Sequence, residues 1–121
     1  MNAMDILIVR EPISLDLVRQ LAEAWYGDIV KGVADCKRDI IALGGEWHMD
    51  ANERLILDGS EQSDLWGFNL IPAERGPAAI EYQSLVNIRP AQNNRSQIIE
   101  DEHVRLRIAE IVRHLVPDLD V

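Results

Sequence analysis

The sequence predicts an α+β fold, with a mainly antiparallel sheet built from two hairpins and helices packed on one face. Three segments carry apolar residues at helical spacing, near residues 15–26, 51–58 and 100–115. Between them lie two pairs of β-rich segments, each pair joined by a charged or Gly/Pro-containing turn. The chain has 121 residues and no linker or low-complexity segment, so we expect one globular domain over residues 1–121.

The N-terminal part is predicted to form a short strand followed by a helix. DILIVR, residues 5–10, is a β-type run that is closed by a Glu-Pro pair. Ser14 is suited to cap the following helix, and Gly27 suits the position just after a helix end. We therefore expect the first helix over about residues 15–26.

Residues 28–48 are predicted to form the first hairpin, because the β-rich arms IVKGVAD and DIIALGGEW flank a charged CKR turn. The pair Gly44-Gly45 in the second arm indicates a bulge or the close approach of another backbone. The next segment, MDANERLILDGS, opens with acidic residues at capping-box spacing, the first of them Asp50. It predicts a short helix over about residues 51–58.

The second hairpin is predicted from LWGFNLIP, residues 65–72, and AAIEYQSLVNI, residues 78–88. Trp66, Phe68 and Leu70 alternate with smaller or polar residues, so they should share one face of the first arm. The second arm alternates in the same way. One face of the sheet should therefore be core and the other polar.

The last helix, over about residues 100–115, is the clearest element of the pattern. An apolar stripe runs along it at helical spacing, with Asp101 at its start and basic residues at its end, as the helix dipole favours. Pro117 stops it.

Composition and charge restrict the classes of function. The formal net charge of −9 opposes binding to nucleic acid or to anionic lipid. We expect no membrane span, because no apolar run approaches the roughly 18 residues that a spanning helix needs. The single cysteine, Cys36, and the lack of a signal peptide indicate a cytoplasmic protein. We treat residues 1–3 as a cloning remnant, with the natural start at Met4.

The first candidate site lies in GGEWHMD, residues 44–50. If the strand continued through it, Glu46, His48 and Asp50 would share a face and could ligate a divalent metal or act as acid and base. His48 is the best single candidate, since histidine titrates near neutral pH. The structural alternative makes Asp50 a helix cap and Glu46 a solvated strand residue.

The second candidate site is a polar cluster around NIRPAQNNRSQ, residues 87–97. Arginine forks suit carboxylates and phosphates, and amides supply both donors and acceptors. The predicted ligand-binding residues are Asn69, Asn87, Arg89, Asn93, Asn94 and Arg95. The structural alternative makes the asparagines turn formers and pairs the arginines with Glu81 or Asp101.

No P-loop, dinucleotide-binding, nucleophile-elbow or CxxC pattern occurs, and no cofactor is indicated. We therefore expect a small cytosolic binding domain, whose polar Arg/Asn site takes an anionic small molecule or a peptide carboxylate. The alternatives are a hydrolase-like enzyme that uses Glu46, His48 and Asp50, and a protein interaction module or homodimer without catalysis. Such a module would bind through an exposed edge strand or through the tryptophans.

A resemblance to a known family appears in four segments together: IIALGGEWH, LILDGS, DLWGFNLIP and SLVNIRPAQNNRS. They resemble a small bacterial family that is known only as a domain of unknown function. The resemblance covers roughly residues 30–115. It implies a compact cytosolic α+β protein, and it implies no activity and no catalytic residue.

Overall fold

The computed structural model describes residues 5–121, so the interpretation of residues 1–3 as a cloning remnant lies outside the described residues. Within the described residues there are five strands, β1 to β5, at Leu7–Val9, Val30–Asp35, Ile40–Leu43, Leu65–Leu70 and Ile80–Glu81. The three α-helices of the same residues, α1 to α3, are Leu15–Trp25, His48–Leu57 and Glu102–Leu115.

The strands form one antiparallel sheet in the order β1-β3-β2-β4-β5. β2 and β3 form the predicted first hairpin. Its turn is closed by Asp35, whose Oδ1 accepts the backbone N–H groups of Lys37 and Arg38 at 2.9 Å each. The predicted α+β class and antiparallel sheet are confirmed.

α1 and α3 form where their local signals predict them. Ser14 Oγ accepts the N–H of Leu17 at 3.1 Å at the start of α1, and Asp101 Oδ1 accepts the N–H of His103 at 2.8 Å at the start of α3. Each cap satisfies a donor that the helix leaves unpaired. Within residues 5–121, no helix is long and apolar enough to cross a membrane.

The helices cover both faces of the sheet. On one face Leu21 of α1 and Ile108 of α3 join a buried core with Phe68. On the other face Leu55 of α2 packs in a second core with Val33. The expectation that helices pack on one face is therefore wrong for α2. The reason lies in β3, whose sequence IIAL is apolar at every position and buried throughout, so both of its faces need a cover.

The second hairpin is shorter than predicted. Only Ile80–Glu81 of the expected arm 78–88 pairs with β4 as a strand, and Leu85–Asn87 is a 3₁₀ turn. Ser84 starts this turn, because its Oγ accepts the N–H of Val86 at 3.2 Å. Serine side chains compete in this way with sheet pairing.

α2 begins at His48, earlier than predicted. The strand before it ends at Leu43, because Gly44 and Gly45 have φ values of +110° and +94°, which break the extended backbone. Asp50 then lies in the first turn, where its Oδ2 accepts the N–H of Trp47 at 3.3 Å.

Candidate functional site

The best-formed pocket lies on the face of the sheet that α2 covers only in part. It has a volume of about 530 Å³, within the range of small-molecule sites. Its floor is a row across three neighbouring strands, in which Lys31 is opposite Asn69 and Asn69 is opposite Glu81. Its walls are the start of α2 and the segment 83–86.

Asn69 is the buried amide at the centre of the floor. It is only 7% exposed, and its Nδ2 donates to the carbonyl of Gln83 at 3.2 Å and to Glu81 Oε1 at 3.5 Å. Its Oδ1 is sealed from solvent and has no hydrogen-bond partner among the described residues. A buried acceptor without a donor carries a cost of about 1–3 kcal/mol, so it needs an explanation.

His48 stands at the pocket wall with its ring orientation set by the sheet. Its Nε2 lies 2.9 Å from the carbonyl oxygen of Phe68. A carbonyl can only accept, so the neutral ring carries its proton on Nε2 and leaves a lone pair on Nδ1. Nδ1 has no hydrogen-bond partner among residues 5–121. The side-chain atoms of these residues that are both sealed from solvent and without a partner are Asp35 Oδ2 and Asn69 Oδ1, so Nδ1 is not sealed. Nδ1 therefore has some access to solvent, and His48 is one of the residues that line the pocket.

The pKa of His48 is held below its ordinary value. Burial is the main cause, and the positive charge of Lys31 acts in the same direction. The carbonyl of Phe68 opposes the shift, and so does the nearby amide of Asn69, although it lies outside hydrogen-bond geometry with the ring. His48 is therefore neutral at pH 7, and Nδ1 is an acceptor.

The cation of the pocket is Lys31. Its Nζ has no carboxylate within ion-pair distance among residues 5–121, and it lies 5.1 Å from the centre of the Tyr26 ring. The rim is apolar, with Trp47, Met49 and Leu85 exposed by 59%, 57% and 68%. Large apolar side chains so exposed around a concave polar floor are typical of a binding site.

The structure gives Asn87 a role within the sheet. Asn87 is fully buried, its Oδ1 accepts the N–H of Gly67 at 2.7 Å, and its Nδ2 donates to the carbonyl of Gly67 at 3.0 Å. The same Nδ2 donates to the carbonyl of Gln97 at 3.1 Å. The amide thus replaces a strand at the edge of β4, beyond the end of β5.

Arg89 is held by backbone carbonyls. Its Nε donates to the carbonyl of Val86 at 3.0 Å, and its Nη1 donates to the carbonyl of Gln62 at 2.8 Å. Its Nη2 donates to the carbonyl of Leu65. The guanidinium also stacks on Trp66, 4.1 Å from the ring centre. Burial lowers the pKa of Arg89, and most of its N–H groups are used inside the chain. Arg89 therefore fastens the segment after β5 to the start of β4.

Two further members of the predicted polar cluster, Asn93 and Asn94, also have structural roles. Asn94 is buried, its Nδ2 donates to the carbonyls of Asn87 at 2.8 Å and Ile98 at 3.0 Å, and its Oδ1 accepts an N–H at 2.8 Å. Asn93 is an exposed turn residue with φ of 60°. The predicted turn role of these asparagines thus accounts for their geometry.

The predicted anion position at Arg95 is filled by the chain's own carboxylate. Glu100 Oε2 accepts the backbone N–H groups of Arg95 at 2.9 Å and Ser96 at 3.2 Å. The N–H of Arg95 is the main cause of the lowered pKa of Glu100. The Arg95 side chain itself is exposed. Of the six residues predicted for ligand binding, only Asn69 lines the pocket.

Glu46, His48 and Asp50 do not share a strand face, because β3 ends before them. Glu46 is in the exposed connection, His48 is the first residue of α2, and Asp50 is used at the helix start. Within residues 5–121, no group of three or more His, Cys, Asp or Glu side chains is arranged to hold a metal ion. The geometric premise of this site is therefore wrong, while His48 enters the pocket described above.

Cys36 is not an activated thiol. Burial raises its pKa to about 11, so the thiol stays protonated at neutral pH.

The sequence interpretation named the tryptophans as interface residues but missed Lys31, Glu81, Met49 and Leu85 as residues of the site. One signal was available: Lys31 is the single basic residue inside the apolar run of β2, and a charge in a strand buried on both faces needs a reason.

The fold and the pocket define a small α+β protein with a concave, half-apolar site on one face of an antiparallel sheet. The chain belongs to the family described as "Protein of unknown function (DUF5674)", whose model matches residues 7–115. Comparison of this chain with curated proteins and with solved structures found no match.

Proposed function

We propose that this protein is a binding domain for a carboxylate-bearing small molecule or peptide, and that the ligand occupies the pocket between α2, the floor row and residues 83–86. The supporting observation is Lys31, which lines a pocket of about 530 Å³ and whose Nζ has no carboxylate partner among residues 5–121. The site differs from the Arg/Asn cluster expected from the sequence, because that cluster's polar groups are largely used within the chain.

Lys31 supplies the charge of the site. A lysine ammonium is a compact charge on a flexible stem, and it can follow a carboxylate over several positions. The apolar rim reduces the access of water to this contact, which strengthens a charge-assisted hydrogen bond. We propose that this function belongs to the bacterial cytosol, as the family resemblance and the single cysteine support.

The test uses N-acetyl-L-leucine and its neutral amide, N-acetyl-L-leucinamide, in isothermal titration at millimolar concentration. We expect the carboxylate to bind roughly tenfold or more tightly than the amide, on the scale of a hydrogen bond to a charged group. Lys31→Met should remove this preference. The matched control is Lys37→Met, since Lys37 is the chain's other lysine and lies exposed in the hairpin turn.

Equal binding of acid and amide by the wild-type protein, or no binding of either, would refute the proposed function. A second candidate, an interaction module or homodimer, is favoured by the exposure of Trp47 and Met49. Light scattering separates the two. A pocket protein should be monomeric, whereas a homodimer should have twice the mass and should dissociate on Trp47→Ala.

A further inference from the structure

Building on the proposed function, we infer that the pocket selects a carboxylate that carries an N–H donor on the neighbouring carbon, together with an apolar side chain. A free apolar amino acid and the C-terminal residue of a peptide share this chemistry. An inorganic anion such as phosphate lacks both the donor and the apolar group.

We infer the donor from two lining side chains, His48 and Glu81, that offer acceptors to a ligand. His48 Nδ1 carries a lone pair in the neutral ring, has no donor within the described residues and is not sealed from solvent. The exposed carboxylate of Glu81 adds a second acceptor. A ligand with only negative charge would face these acceptors unpaired, which costs binding energy.

The order of the floor row matches the order of groups in such a ligand. Lys31, Asn69 and Glu81 lie on successive strands, and neighbouring strands are about 4.8 Å apart. A carboxylate held at Lys31 therefore places an N–H on the next carbon within one strand spacing, toward β4, whose Phe68 carbonyl holds His48. The same N–H on a free amino acid is an ammonium group, which Glu81 can also bind.

The apolar part of the ligand is directed to the rim. Trp47 and Met49 from the start of α2 and Leu85 from the opposite wall are all more than half exposed. Methionine is unbranched and adapts to several shapes. We therefore expect a preference for medium to large apolar side chains as a class.

The experiment compares three carboxylates of one carbon skeleton by isothermal titration: L-leucine, N-acetyl-L-leucine and 4-methylpentanoate, which lacks the nitrogen. We expect at least one of the two N–H-bearing compounds to bind roughly tenfold more tightly than 4-methylpentanoate. Equal binding of 4-methylpentanoate would overturn the inference and leave the proposed function intact. No binding by any of the three would overturn both.

The two sources of the ligand are separated by Glu81→Gln, a substitution of an exposed side chain. If the ligand is a free amino acid, this variant weakens L-leucine roughly tenfold and spares N-acetyl-L-leucine. If it is a peptide C-terminus, N-acetyl-L-leucine is the tighter ligand and the variant leaves it unchanged. Either pattern supports the shared chemistry.

A spectroscopic measurement on the unmodified protein tests the acceptor itself. The ¹⁵N resonance of His48 Nδ1 should move when the tighter N–H-bearing compound binds, because its lone pair then accepts a hydrogen bond. Saturation with 4-methylpentanoate should leave this resonance near its free position. An unmoved resonance on saturation with the N–H-bearing compound would contradict the assignment of His48 as the acceptor.

Discussion

Replacing Asn87 by alanine should destabilise the protein strongly, because its side chain completes the edge of β4. Loss of the amide leaves the N–H and the carbonyl of Gly67 without partners, since Asn87 binds them at 2.7 and 3.0 Å. The carbonyl of Gln97 keeps the N–H of Ser84 at 3.0 Å. At about 1–3 kcal/mol for each of these two unpaired buried groups, we expect a loss of roughly 2–6 kcal/mol in the free energy of unfolding.

The assay is equilibrium unfolding in urea, followed by tryptophan fluorescence. Because typical domains have only about 5–15 kcal/mol of stability, the midpoint should fall clearly while the slope stays constant. The control is Gln20→Ala on the exposed surface of α1, which should change the stability by about 0.5 kcal/mol or less. A loss below about 1 kcal/mol for Asn87→Ala would refute the role of this amide as a substitute strand.

Three further outcomes are expected. Arg89→Lys should lower the free energy of unfolding by about 2 kcal/mol, since an ammonium cannot reach the carbonyls of separate segments, whereas Arg95→Ala should change it by less than about 0.5 kcal/mol in the same assay. Gly67→Ala should cost about 1–3 kcal/mol in thermal unfolding, because a Cβ there would lie 2.5 Å from the Cβ of Ser84. The stability that neutral His48 contributes is complete above a pH of about 6.5 and is lost as the pH falls through the lowered pKa of the folded state, so a pH series of melts should fall more steeply for the wild type than for His48→Gln.

The accuracy of the sequence prediction follows the range of the interactions involved. α1 and α3 were predicted well, because caps such as Ser14 and Asp101 act on residues two or three positions away. The strand predicted from alternation over residues 78–88 was wrong beyond Glu81, because the pairing of that segment with β4 stops there. The Asn87 side chain replaces the missing strand, and its partner, Gly67, is 20 positions away along the chain.

The candidate sites were predicted less well for a related reason. A polar residue looks the same in a sequence whether it serves a ligand or its own backbone. Arg89 and Asn94 proved to bind carbonyls of their own chain, while Asn69 kept an acceptor without a partner. Lys31 entered the site only through strand pairing with Asn69, which requires the register of β2 and β4.

Two kinds of residue therefore affect the pocket, and they should be separable by experiment. Asn87 and Arg89 hold the segment that forms one wall, so substituting them should reduce ligand binding and stability together. Lys31 and Glu81 lie at the pocket surface without being needed for the sheet edge, so Lys31→Met and Glu81→Gln should change binding at nearly constant stability. If Lys31→Met lowered stability as much as Asn87→Ala, Lys31 would be a structural residue, and the charge assigned to the ligand would lose its partner.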